Sequence, residues 1–208
     1  MITASIEKKG RLLISVLFLT GIIILSGCSR VDKKDWRDLL AENVELLGHR
    51  NWILIADSAY PFQSRAGIKT IATGKGQIEV VEAVLKAVED ADHVKAKVYL
   101  DKESEYVPEE NAAGIIAYRK ELKALLAERE VSMVPHEELI AKLDEAAKTF
   151  RVFVLKTNLT LPYTSVFLEL DCGYWDSRAE AELRKSMEED SLFLAKFLLT
   201  EYVLAVYY

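Results

Sequence analysis

Apolar residues at Trp36, Leu39, Leu40, Val44 and Leu47 recur at the spacing of one helix face, and Gly48 follows as a stop. The spacing predicts a helix that ends at Gly48-His49. Trp52-Ile53-Leu54-Ile55-Ala56 is then an unbroken apolar run of strand length, the pattern of a strand covered on both faces, and Asp57-Ser58 with Pro61 ends it. Ile68 to Thr73 alternates like a second strand. Gly74-Lys75-Gly76 turns the chain into a helix with Val80, Val81, Val84, Leu85 and Val88 along one side. Val94 to Leu100 gives a third strand, again followed by an acidic residue, Asp101. A polar loop through Pro108 leads into a predicted helix from Asn111 to Arg129, and Val131 to Val134 reads as a brief strand. Pro135-His136 opens a further helix that carries Leu139, Ile140 and Leu143 inward, and Arg151 to Leu155 and Thr164 to Leu170 complete the strands.

Strands alternating with helices of this length predict a three-layer α/β/α domain with a mixed, mostly parallel central sheet, covering residues 28–175. The short link between the last two strands predicts that these two pair antiparallel. Residues 176–208 form a predicted C-terminal helical extension, charged through Glu189 and almost wholly apolar from Leu192 onward. Lys196 and Glu201 argue against a membrane span, and the apolar end reads as packed on the domain or on a neighbouring subunit, with a membrane-dipping tail as the alternative.

The N-terminus carries a different signal. Lys8, Lys9 and Arg11 precede an apolar run from Leu12 to Leu25, short for a spanning helix and laid out like a cleaved export signal. Leu25-Ser26-Gly27-Cys28 resembles a bacterial lipobox, which makes residues 1–27 a predicted lipoprotein signal peptide and Cys28 the acylated first residue of the mature protein. The expected location is extracytoplasmic, lipid-anchored to a bacterial membrane. Ser29, in place of Asp, favours the outer membrane or cell surface over the inner membrane.

Half of the 208 residues are hydrophobic and only 9 are Gly and 4 Pro, which excludes a disordered or linker-dominated chain. A net charge of −6 makes nucleic acid a poor partner. Cys28 and Cys172 are too few for a disulfide framework.

Common catalytic signatures are missing. Gly67 to Gly76 has Lys69 where a phosphate loop needs Gly, and Gly76 where it needs Ser or Thr. His136-Glu137-Glu138-Leu139-Ile140 lacks the second histidine of a zinc-protease helix, so no metal site and no cofactor are expected. What remains is three histidines, the strand-end Asp57 and the Pro162-Tyr163-Thr164-Ser165 turn. In open α/β sheets ligands bind beyond the C-terminal strand ends; Asp57 and His136 fall there and His49 is within possible reach, so one shared pocket is expected. Each has a structural alternative. His49 can cap the first helix, Asp57 can cap its turn, His136 can be an ordinary first helical residue, and Tyr163 a buried aromatic with a satisfied hydroxyl. His93 reads as solvated.

The stretch from Gly48-His49 through Trp52 to Asp57-Ser58-Ala59-Tyr60-Pro61 resembles the signature of the D-ribose pyranase and L-fucose mutarotase family. Three further stretches follow in the family's order: Gly76-Gln77 to Val84, His136-Glu137-Glu138 opening a helix, and Pro162-Tyr163 before the last core strand. The resemblance implies His49 as proton donor, Asp57 and His136 as sugar contacts, and Tyr163 with Ser165 as further contacts. It implies a free monosaccharide, ribose- or fucose-like, as substrate, and ring-like homo-oligomers with sites at subunit contacts. Two departures stand out. Ser165 replaces the family's Asn, and Leu155-Lys156-Thr157-Asn158 lacks its usual Thr-Gly-Glu. Interconverting sugar anomers or ring forms needs only proton transfer, which matches a sequence without metal- or phosphate-binding motifs. The alternative is a non-catalytic sugar-binding or scaffold lipoprotein on the same fold.

Overall fold

The computed structural model describes residues 34–207; Cys28 and the whole predicted export signal lie outside the described residues. Helix α1 (Trp36–Val44) starts where the Asp35 side chain accepts the Arg37 N–H, and it buries Trp36, Leu40 and Val44. Strand β1 (Trp52–Ala56) is buried at all five positions, as its apolar run predicts. Strand β2 (Ile68–Ala72), helix α2 (Gln77–Glu89) and strand β3 (Val94–Asp101) follow. After β3 the polar loop tightens into a 3-10 turn, Lys102–Tyr106. Helix α3 (Ile115–Leu125), strand β4 (Val131–Val134), helix α4 (His136–Ala146) and strands β5 (Val152–Lys156) and β6 (Val166–Cys172) complete the sheet domain.

Helix α3 is shorter than its periodicity predicts. Gly114 takes φ +95, a left-handed conformation that breaks the helix, and the Glu109 carboxylate accepts the exposed N–H groups of Gly114 and Ile116 at 2.5 and 3.0 Å.

The six strands lie in the order β2-β5-β1-β6-β3-β4. All are parallel except β6, which runs antiparallel to both β1 and β3. The mixed, mostly parallel sheet is therefore as predicted, but the antiparallel pairing of the last two strands is not. Strand β1 sits between them, because the 157–165 segment crosses over the C-terminal end of β1. The Thr157 N–H donates to Ala56 O and the Ser58 N–H to Leu159 O, at 2.9 and 2.8 Å, which ties the crossing down.

Helices α1, α2 and α3 cover one face of the sheet over a core that includes Ile53, Ile55, Phe153, Leu155 and Leu168. Helix α4 covers the other face, where Leu139 and Leu143 pack on Leu54, Val154 and Phe167. Gly67 lies so close to the end of α4 that a methyl group there would overlap the Ala147 carbonyl. On the part of this face beyond α4, Lys95, Lys97 and Ser132 are exposed. Glu169 accepts the Tyr99 hydroxyl at 2.7 Å, and the Tyr99 ring stacks on Trp52 at 5.6 Å. The C-terminal extension is one continuous helix, α5 (Ser177–Tyr207). Among the described residues no helix is long and apolar enough to cross a membrane.

Candidate functional site

Five parallel strands give the sheet two chemically different ends, and the sequence-derived candidates divide between them. At the C-terminal end, β3 runs out into Asp101 and α4 begins at His136. The His136 Nδ1 lies 2.9 Å from Asp101 Oδ1. Asp101 is almost fully buried, and its Oδ2 has no hydrogen-bond partner among the described residues. Burial pushes this carboxyl above the usual carboxylate range and the Glu103 charge adds to that; His136 and the Ser165 amide act in the opposite direction. Both oxygens of Glu103 accept the His136 backbone N–H, at 3.0 and 3.1 Å, which fixes the start of α4.

Tyr163 closes the other side of this histidine. Its ring meets the imidazole edge-to-face at 5.6 Å with an interplanar angle of 83°. Tyr163 itself takes φ +54, a strained conformation for a residue with a side chain, of the sort held in place only by its surroundings. Those surroundings are a buried hydrogen-bond hub. Tyr118 donates its hydroxyl to Thr164 O at 2.8 Å, Gln77 donates its amide to the same carbonyl, and the Thr157 hydroxyl lies 2.9 Å from Gln77 Oε1. Burial raises the Tyr118 hydroxyl's pKa, so it remains a donor at any ordinary pH. Ser165, next along, is only 3% exposed. Asp57 ends β1 at this same end, where its Oδ1 accepts the Ala59 N–H at 2.7 Å. The turn-capping alternative for Asp57 is thus part of its role.

Beside the Tyr163-Ser165 turn is a cavity of about 440 Å³ between α3 and the β3–β4 edge, lined by Leu100, Tyr118, Leu122, Val131 and Met133. Its walls are mainly apolar, and neither His136 nor Asp57 lines it.

His49 is not in this group. It precedes β1, so the whole strand, about 16 Å at ~3.3 Å per residue, separates it from Asp57. The expectation that His49 shares a pocket with Asp57 and His136 within one chain is therefore corrected. Backbone bonds from Arg50 N to Leu170 O and from Leu170 N to Asn51 O, both 2.9 Å, pin the 49–51 turn against the end of β6. There His49 Nδ1 lies 2.8 Å from Asp171 Oδ1, with the imidazole 55% exposed. The Lys97 ammonium, 2.9 Å from Asp171 Oδ2, together with the Cys172 N–H and His49, holds the Asp171 carboxyl down at about 2. Capping of α1 falls to another histidine. His93 Nε2 lies 3.0 Å from Leu47 O and 3.3 Å from Val44 O, so His93 caps the helix end and is not merely solvated.

Asp101, Gln77 and Tyr118 join the candidate site in the fold, although no motif assigned them a role. The one sequence cue was an acidic residue following a strand, as at Asp57. Among the described residues no cluster of His, Cys, Asp and Glu is arranged to hold a metal ion.

The protein resembles several solved structures at low identity. The D-ribose complex of Bacillus subtilis RbsD is 23% identical, covering 68% of this chain and 98% of that one with a TM-score of 0.47. The L-fucose complex of the Streptococcus pneumoniae fucose mutarotase is 17% identical, covering 64% and 91% with a TM-score of 0.42. FucU from Bifidobacterium longum is also 17% identical, covering 64% and 94% with a TM-score of 0.41. No curated protein matches the sequence. Residues 37–172, most of the described chain, match the RbsD / FucU transport protein family, and the chain belongs to that family.

Proposed function

We propose that this protein interconverts anomers or ring forms of a free monosaccharide without a cofactor, using a site assembled from two copies of the chain. Family membership and the imidazole–carboxylate pairs support the reading. The observation that carries it is the division of the candidates between opposite ends of the sheet. His136, Asp57, Tyr163 and Ser165 stand at one end, and the exposed His49 stands at the other.

In this reading a neighbouring copy brings its His49 to the C-terminal end of the first. The sugar lies against Tyr163, with its hydroxyls on Asp57, His136 and, through the turn, Ser165. Ser165 is too buried to offer the reach of an Asn amide, so the contact there is shorter or carried by water. His49 delivers a proton to the ring oxygen, the anomeric C–O ring bond breaks, and the open aldehyde recloses on its other face or through another hydroxyl. Imidazole is the side chain whose charge changes most readily near neutrality, which suits it to proton exchange in both directions.

Saturation-transfer NMR on ribose, fucose and galactose tests the activity. Faster exchange between anomer signals on adding protein is expected for one of them. Unchanged exchange for all three, with sugar still bound, would establish the non-catalytic sugar-binding alternative instead.

The anchoring of the protein at a membrane surface through an acylated Cys28 is a second, separable part of the proposal, resting on the lipobox. Incorporation of labelled palmitate by the wild-type chain and its loss in Cys28→Ser is the expected result; labelling unaffected by that change would refute it.

A further inference from the structure

We propose that His136, oriented by Asp101, is a second proton-transfer residue of this site, taking the proton of the anomeric hydroxyl while His49 of a neighbouring copy protonates the ring oxygen. This rests on the proposed function and deepens it: the assignment carried over from the family resemblance makes His136 a sugar contact only.

The geometry separates His136 from an ordinary binding residue. Its Nδ1 faces Asp101 Oδ1 at 2.9 Å, so the N–H is donated there and the bare Nε2 is left as a base. Two contacts hold the ring, the Asp101 bond and the edge-to-face Tyr163 ring at 5.6 Å, and the Glu103 carboxylate fixes the backbone from which it projects. Its side chain keeps 29% of its surface open, enough for a small polar ligand to reach it, while the carboxylate behind it has none.

Asp101 is the positioning residue, and the burial of its carboxylate is what makes it effective. Oδ2 is buried without a partner, so the ionised carboxylate is poorly stabilised and gains strongly from a cation beside it. That cation is the His136 imidazolium formed when Nε2 takes a proton. The other charged or titratable groups facing Asp101 are Glu103 from the 3-10 turn and Tyr118 from α3, and neither supplies a positive charge. A histidine held in one tautomer by a buried aspartate is the orientation logic of hydrolase triads, used here on a hemiacetal.

The protons balance. On opening, the anomeric O–H proton moves to His136 Nε2, the bond from the anomeric carbon to the ring oxygen breaks, and the ring oxygen takes a proton from His49. The products are a free aldehyde, a free hydroxyl, a cationic His136 and a neutral His49. On closure the attacking hydroxyl returns its proton to His49, and His136 returns its own to the new anomeric oxygen. Both residues end as they began, with nothing oxidised or reduced.

Three variants of the full chain test this, each read by sugar binding, by the exchange rate at saturating and limiting sugar, and by ¹⁵N NMR of the histidine side chains. In the wild type the His136 signal reports the Nδ1–H tautomer. Asp101→Asn is expected to shift it to Nε2–H and lower kcat, and Asp101→Glu to restore both in part. His136→Gln, which keeps a hydrogen-bonding side chain, is expected to lower kcat by about 10²- to 10⁴-fold with sugar affinity little changed. A His136→Gln chain that loses affinity and keeps its kcat, or an Asp101→Asn chain whose His136 tautomer is unmoved, overturns the inference. His49→Ala separates it from the reading beneath it. Wild-type exchange in that variant overturns the two-copy site, whereas loss of exchange there with full kcat in His136→Gln overturns only the role of His136.

Discussion

Two histidine–aspartate pairs with nearly the same contact distance, 2.8 Å for His49–Asp171 and 2.9 Å for His136–Asp101, stand at opposite ends of one sheet in opposite environments. At the C-terminal end the carboxylate is buried, has one oxygen unused and is pushed upward; its histidine is clamped by Tyr163 and Glu103. At the N-terminal end the carboxylate is shared with Lys97, is held at about 2 and is partly exposed; its histidine is open to solvent. The difference teaches that only the first pair is preorganised within a single chain. The second holds its imidazole toward solvent, and in the proposed reading a neighbouring copy completes it.

His49→Ala bears on that comparison with the largest expected effect, a loss of about 10²- to 10⁴-fold in anomer exchange measured by saturation transfer. Next comes the support of the closed end. Leu139 is fully buried on the inner face of α4, and Leu139→Ala should cost about 2–5 kcal/mol in urea unfolding while loosening the helix that begins at His136. Glu103→Gln weakens the clamp on the His136 N–H and should cost about 0.5–2 kcal/mol in the same assay, with no comparable change at His49.

The response to pH should differ in sign between the pairs. Asp171, with its folded pKa depressed, stabilises the fold above the ordinary carboxylate value and loses that contribution as pH falls toward 2. Asp101, with its folded pKa raised, contributes stability that is complete below the ordinary value and is lost as pH rises through its folded one. Thermal melts across pH 2–8 should therefore show a softened acid limb in Asp171→Asn, and a smaller loss of Tm between pH 4 and neutrality in Asp101→Asn. The smallest effect belongs to Lys97→Met, below about 1 kcal/mol, because the Lys97 side chain is more than half exposed and its charge is screened by solvent.

Most of the architecture was legible from apolar periodicity. The fully buried β1, the strand-end position of Asp57 and the start of α4 at Pro135-His136 all follow from it. Two things were not. Strand neighbours depend on where the chain crosses, and the link before β6 was read as a hairpin-like return although it passes over β1. Which end of the sheet a residue occupies depends on counting through the strand, and eight residues of sequence between His49 and Asp57 looked like proximity when an extended strand made them a separation. Asp101 went unselected because a lone acidic residue after a strand is a common turn signal. Only the fold reveals that this one is buried against an imidazole.

The central claim, a site shared between copies, is tested most directly by mixing two inactive chains. His49→Ala retains the intact C-terminal end, and His136→Gln retains the intact His49. Unfolded together in equal amounts and refolded, they should recover about a quarter of wild-type exchange, since about one contact in four then pairs the two unaltered halves. Recovery near that level, absent when either variant is refolded alone, is what the account predicts. A mixture as inactive as its components, in assemblies shown by mass to contain both chains, would contradict it.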